Sequence, residues 1–130
     1  MPPRQPAPRA AGVRTPKQRA GAAAERAAER HLVAAGCLVL DRNARYREGE
    51  LDLVVRERDL VVFVEVRMRT VELYGGAAAS VDVFKQKRLA RAAQRWLAER
   101  CGERWPACRF DVVAVDGSGR IEWIRDAFAV

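Results

Sequence analysis

Histidine is nearly absent from this chain: His31 is the only one in 130 residues. That excludes histidine-rich zinc sites and the HExxH zinc proteases. His31 is therefore expected on or near a helix surface rather than as a ligand. Cysteine is sparse too. Cys37, Cys101 and Cys108 are an odd number with no close pair. Disulfides are not expected to organise the fold, and a reducing cytoplasmic setting fits best. No apolar run approaches the roughly 20 residues that cross a bilayer. The longest, residues 60–64, stops at Glu65. No apolar block of about 7–15 residues follows the N-terminal arginines, as a secretory leader would require. Neither a membrane partner nor a small-molecule cofactor is expected. Acidic residues are missing from positions 1–20, which hold Arg4, Arg9, Arg14, Lys17, Arg19 and five of the six prolines. This composition predicts a disordered basic arm over 1–20 and a single domain over 21–130. Such an arm favours polyanions through counterion release, although a solubilising extension would read the same way.

Hydrophobic residues make up 49% of the chain and charged ones 32%, enough to bury a core. The net charge of +7 sits mostly in the arm. Residues 22–35 are rich in helix formers, and Gly36 suits the end of that helix. Residues 37–40, Cys37 included, are short and strand-like. Residues 50–55 alternate, with Glu50, Asp52 and Val54 on one side and Leu51, Leu53 and Val55 on the other. Residues 60–67 read as a central strand buried on both faces. The segment between them is too short for anything but a turn, so the two form an antiparallel hairpin. Residues 70–79 read as a loop. Ser80 or Asp82 can cap a second helix that runs to about Arg100, with Cys101 at its end and an apolar stripe of Leu89, Ala93, Trp96 and Leu97. Residues 109–115 and 120–124 complete an α-β-β-β-α-β-β order, an α/β fold with a mixed sheet flanked by helices.

With a hairpin loop of two residues or four, Asp52 faces Glu65 and Glu50 faces Arg67. A three-residue loop would break this pairing. The Glu50–Arg67 pair reads as a cross-strand salt bridge. Two opposed carboxylates on an apolar hairpin are destabilising unless one holds a proton or a cation joins them. A divalent metal with hard oxygen ligands explains the pair. It is also relieved if Glu65 reaches a strand end or Asp52 bonds to backbone.

The strings Gly49-Glu50-Leu51-Asp52-Leu53 and Val62-Phe63-Val64-Glu65-Val66-Arg67 resemble the PD-(D/E)xK nuclease signature. Gly21 with Glu25, Gly36, Arg42-Asn43, Gly75, Lys85 with Arg88-Leu89, and residues 109–113 extend the likeness to the YraN-like family of bacterial restriction-endonuclease-like proteins, over about residues 21–115. The resemblance implies a restriction-endonuclease-like fold and a magnesium- or manganese-dependent endonuclease acting on DNA. Branched DNA is one candidate substrate, because the superfamily includes Holliday-junction resolvases. It assigns metal binding to Asp52, Glu65 and the backbone carbonyl of Val66, and phosphate contact to Arg67, with Glu50 orienting it. Glu25 sits where the resolvases carry a helix glutamate, and it could equally be an exposed helix charge. Arg67 stands where the superfamily has lysine, and arginine cannot serve as a base. The metal alone can suffice, Lys85 can substitute from the helix, or the site binds nucleic acid without cutting. Lys85 falls on the inward stripe, or buries its stem and exposes its head. Lys85, Lys87, Arg88, Arg91 and Arg95 form a basic helix face that can track phosphates. Cutting two strands would call for a homodimer. The rival readings are an inactive nucleic-acid-binding module and a protein-interaction subunit with Trp105 and Trp123 as anchors, although a core position suits tryptophan as well.

Overall fold

The computed structural model describes residues 14–69 and 76–129. The expected arm over 1–13, Gly75 and most of the expected 70–79 loop lie outside them. The first helix, α1 (Pro16–Ala34), starts earlier than its composition suggests. The Thr15 hydroxyl accepts from the Gln18 N–H and the Gln18 side-chain oxygen accepts from the Thr15 N–H, a capping box with Pro16 in the first turn. Positions 16–20, expected in the arm, are therefore helical. The helix ends on Gly36 at φ +99°, where the Cys37 N–H reaches back to Leu32 and the Gly36 N–H to Val33. Cys37 is buried in this turn rather than in a strand.

Five strands follow in a single sheet ordered as in the chain. They are β1 (Leu38–Arg45), β2 (Glu50–Glu57), β3 (Leu60–Met68), β4 (Cys108–Val115) and β5 (Ile121–Phe128). All neighbours are antiparallel except β3 and β4, which run parallel across the connection that contains the helices α2 (Gly76–Ala79) and α3 (Val83–Cys101). The single turn α2 falls where a loop was expected. Asp82, not Ser80, caps α3 by accepting from the Lys85 N–H. Ser80 instead donates to the Ala77 carbonyl.

The sheet is covered on both faces. On one side α1 lays Ala24, Ala28 and Leu32 against Leu53, Val55, Val62, Val64 and Val113. On the other, α3 lays Leu89, Ala93, Trp96 and Leu97 against Leu51, Val54, Phe63 and Val112. Phe63 meets Trp96 edge-on at 5.8 Å between centroids. The β2–β3 hairpin has the two-residue loop Arg58-Asp59, with Glu57 opposite Leu60 and Leu53 opposite Val64. Among the described residues no helix is long and apolar enough to cross a membrane.

Gly49 closes the turn before β2 and lies against α3. A Cβ there would sit 2.8 Å from the Arg88 carbonyl oxygen and 3.2 Å from its carbon. Both are backbone atoms that cannot swing away. Gly49→Ala should therefore destabilise the fold by about 1–3 kcal/mol, the usual cost of overpacking. Thermal melting reads this, and an unchanged midpoint would show that the turn yields freely.

Candidate active site

The site forms where the β2–β3 ladder stops. The last paired residues are Leu53 and Val64. Beyond them Asp52 replaces a backbone partner: its Oδ2 accepts from the Val66 N–H at 2.9 Å. The expected alternation of β2 breaks here as well. Leu51 joins Val54 on the α3 side instead of sharing the α1 side with Leu53 and Val55. Val66 thus meets Asp52 through its N–H.

Asp52 and Glu65 are nevertheless brought together. Glu65 is 4% exposed, and the two carboxyls lie within hydrogen-bonding reach. Burial pushes the Asp52 carboxyl up to about 9, helped by the hydrogen bond and the charge of Glu65 and opposed by the Val66 N–H.

Two cations converge on the same oxygen of Glu65. Arg67 Nη2 stands 3.4 Å from Glu65 Oε2, and Lys85 Nζ stands 3.5 Å from it. Arg67 comes from β3, two residues on and hence on the same face. Lys85 comes from the first turn of α3, on the stripe that continues to Leu89. Arg67 Nε is buried and has no hydrogen-bond partner.

Glu25 approaches from α1. It is half-buried, and burial raises its carboxyl above the ordinary range. The charges of Glu50 and Glu65 push the same way, while a side-chain hydrogen bond with Asn43 opposes them. Asn43 sits on β1 at φ +49°, next to Arg42, which grips Glu29 of α1 through Nε at 2.5 Å and Nη2 at 3.0 Å. Adjacent residues of β1 thus hold carboxylates one helical turn apart on α1. Arg42-Asn43 was visible in the sequence as a motif, but its task of fixing Glu25 was not.

Two expected contacts are not made. Glu50 does not bridge to Arg67. Because β1 runs on to Arg45 and pairs it with Glu50, those two form the ion pair at 3.3 Å. Arg95 does not join the basic face either. It reaches Glu48 at 2.9 Å and lies over the Tyr46 ring. Lys85, Lys87, Arg88 and Arg91 do line one cleft of about 660 Å³ together with Arg67, Ser80, Asp82 and Phe84. A second cleft of about 320 Å³, with Arg45, Glu50 and Gly49 in its wall, shares Lys85 and Arg88 with the first. Of the two tryptophans read as anchors, Trp105 is 48% exposed. Trp123 is half-buried beneath the Arg125 guanidinium. His31 is exposed on α1, edge-on to Trp123.

A mixed sheet in α-β-β-β-α-β-β order, with an acidic residue and an acid-x-cation triplet meeting at a splayed hairpin, defines a restriction-endonuclease-like protein. The comparisons with known proteins narrow this. Residues 24–115 match the family model described as "Uncharacterised protein family UPF0102". A UPF0102 protein of Ralstonia nicotianae is 52% identical over 130 residues, covering 97% of this chain and 95% of the relative. One from Burkholderia mallei is 53% identical over 127 residues, covering 97% and 84%. One from Alkalilimnicola ehrlichii is 50% identical over 113 residues, covering 87% and 89%. The chain belongs to the UPF0102, or YraN, family of restriction-endonuclease-like proteins. The family model stops at the end of β4, so β5 lies beyond it.

Proposed function

We propose that this protein is a magnesium- or manganese-dependent endonuclease that hydrolyses DNA phosphodiesters. The observation that carries the reading is the meeting of Asp52 and the buried Glu65 in a site where burial penalises the charge of Asp52. A hard divalent cation fits that donor set. Among the described residues no three Asp, Glu, His or Cys side chains are grouped to hold an ion alone. Two carboxylates, with the Val66 carbonyl as a third oxygen, leave places for water and phosphate, the manner in which magnesium is usually held. When bound, the ion would act as a Lewis acid on the phosphate and make a water more acidic.

The remaining work falls to this chain's own residues. In hydrolysis a water oxygen bonds to phosphorus, the ester P–O bond breaks, and the departing oxygen takes up a proton. Arg67 and Lys85 would hold the scissile phosphate and offset the charge that builds on it. The buried Arg67 Nε–H lacks an acceptor, and a phosphate oxygen would supply one. Arg67 keeps its proton and so contributes charge, not base catalysis. Lys85 reaches the Glu65 oxygen that Arg67 also reaches, so the helix contributes the ammonium that the strand lacks. Glu25 would hold water at the α1 side of the pair, where its carboxyl feels the charge of Glu65. Lys87, Arg88 and Arg91 would track the backbone without reading sequence.

Incubation of single-stranded, duplex and branched DNA with the protein in magnesium, manganese or EDTA tests this. The expected result is metal-dependent cutting that Asp52→Asn abolishes. Salt-sensitive binding with no cutting in any metal would leave a binding module. Absence of salt-sensitive binding would leave a protein-interaction role, with Trp105 as its exposed anchor. If both strands of a branched substrate are cut, sedimentation should show a homodimer. Lys85→Met should lower kcat roughly 10²–10³-fold, and Lys85→Arg should recover part of the loss. Equal kcat for Lys85→Met and the parent would remove Lys85 from the mechanism.

A further inference from the structure

Phe84 is the second residue of α3 and is 78% exposed, a high value for a phenylalanine. One exposed aromatic needs no explanation by itself. Its company is what matters. Phe84 lines the same cleft as Arg67, Lys85, Lys87, Arg88 and Arg91, and its chain neighbour Lys85 ends 3.5 Å from Glu65. The Asp82 cap fixes the turn that carries it. A planar apolar ring set among cations is the chemistry that takes a polynucleotide strand with its bases uncovered, since the cations hold phosphates while the ring stacks on a base. Within a continuous duplex each base already lies between its neighbours and offers no free face to such a ring.

We propose that Phe84 is a stacking platform for an unpaired base and that the cleft selects single-stranded or frayed DNA next to the phosphate held by Arg67 and Lys85. This deepens the nucleic-acid reading of the site and rests on it. The two clefts that share Lys85 and Arg88 give the strand a path across the first half of α3, with Phe84 on one side and Arg45 on the other.

The test uses the full chain in EDTA, so that binding is read apart from cutting. Fluorescence anisotropy is measured with an oligo-dT strand, a blunt duplex, and the same duplex bearing a single-stranded overhang. The parent should prefer the strand and the overhang to the blunt duplex. Phe84→Ala should weaken binding to the first two by roughly ten-fold, in line with the loss of one stacked base, and leave the blunt duplex unchanged. Phe84→Trp should restore the preference. Phe84 is exposed, so both variants should melt like the parent. An equal loss on all three probes, or no loss on any, overturns the platform. Metal-dependent cutting by the parent together with an indifferent Phe84→Ala would overturn the platform and leave the nuclease reading standing. Failure of cutting with the Phe84 preference intact would do the reverse.

Discussion

Asp52→Asn should melt higher than the parent protein in EDTA at neutral pH, although it should cut no DNA. The sign follows from the carboxyl pair. The Asp52 carboxyl titrates near its ordinary 3.8 when unfolded and is pushed up to about 9 in the fold, chiefly by burial. Below about pH 4 both states hold the proton and the group costs nothing. Between about pH 4 and 9 the unfolded state releases it and the folded state keeps it, so stability falls as pH rises. The slope for one such group approaches about 1.4 kcal/mol per pH unit. Asparagine has no proton to lose. Its carbonyl oxygen can still accept from the Val66 N–H, and its amide can donate to Glu65. A gain on the order of 2 kcal/mol at neutral pH, or roughly 5 °C or more in Tm, is expected. The gap between the two proteins should close as the pH is lowered towards 4. A variant less stable than the parent throughout would show that Asp52 is ionised and well paired in the fold.

The second large effect lies away from the cleft. Asp111 is completely buried, yet every lone pair it needs is used. Oδ1 accepts from Arg109 Nε at 2.7 Å and from the Asp126 N–H at 2.9 Å. Oδ2 accepts from Arg109 Nη2 and from the Trp123 indole, both at 2.8 Å. Arg109 also reaches Glu57 at 3.1 Å, so one carboxylate ties β4 to β5 and, through the guanidinium, to β2. The hydrogen bonds from Arg109 to Asp111 are the largest reason its guanidinium holds its proton more tightly than usual. Asp111→Ala strands an indole N–H, a backbone N–H and part of a half-buried guanidinium. A loss of about 3–5 kcal/mol is expected, a large part of the roughly 5–15 kcal/mol that holds a typical domain together. Denaturant titration measures it, and a loss below about 1 kcal/mol would show that water replaces the carboxylate readily.

What the sequence disclosed, and what it hid, divides along physical lines. Short-range geometry was legible. Alternation and a turn of two residues set the hairpin register, and the Leu53–Val64 pairing follows it. Gly36 ended α1, and the Leu89–Trp96–Leu97 stripe faced the sheet. What failed depended on partners distant in sequence or on weaker local signals. Residues 41–45 are mostly polar, and nothing in their composition shows that β1 continues through them to Arg45, the partner of Glu50. Nothing near Arg95 in the sequence shows that Glu48 stands beside it and draws it off the basic helix face. The proline-rich run masks the start of α1, although Thr15-Pro16 with Gln18 spells a capping box. By composition Asp111 is simply one residue of a strand. The available sign was a lone acid in an apolar run, two residues after Arg109 and so on the same face. Gly49 stood out only as part of a motif, whereas its contact with Arg88 needed α3 in place.

Titration of the protein with Mn²⁺, followed by electron paramagnetic resonance at neutral pH, asks most directly whether Asp52 and Glu65 share an ion. One Mn²⁺ should bind the parent, compete with Mg²⁺ and be lost in both Asp52→Asn and Glu65→Gln. Undiminished binding by those variants, or no binding by the parent at millimolar Mn²⁺, would contradict the account.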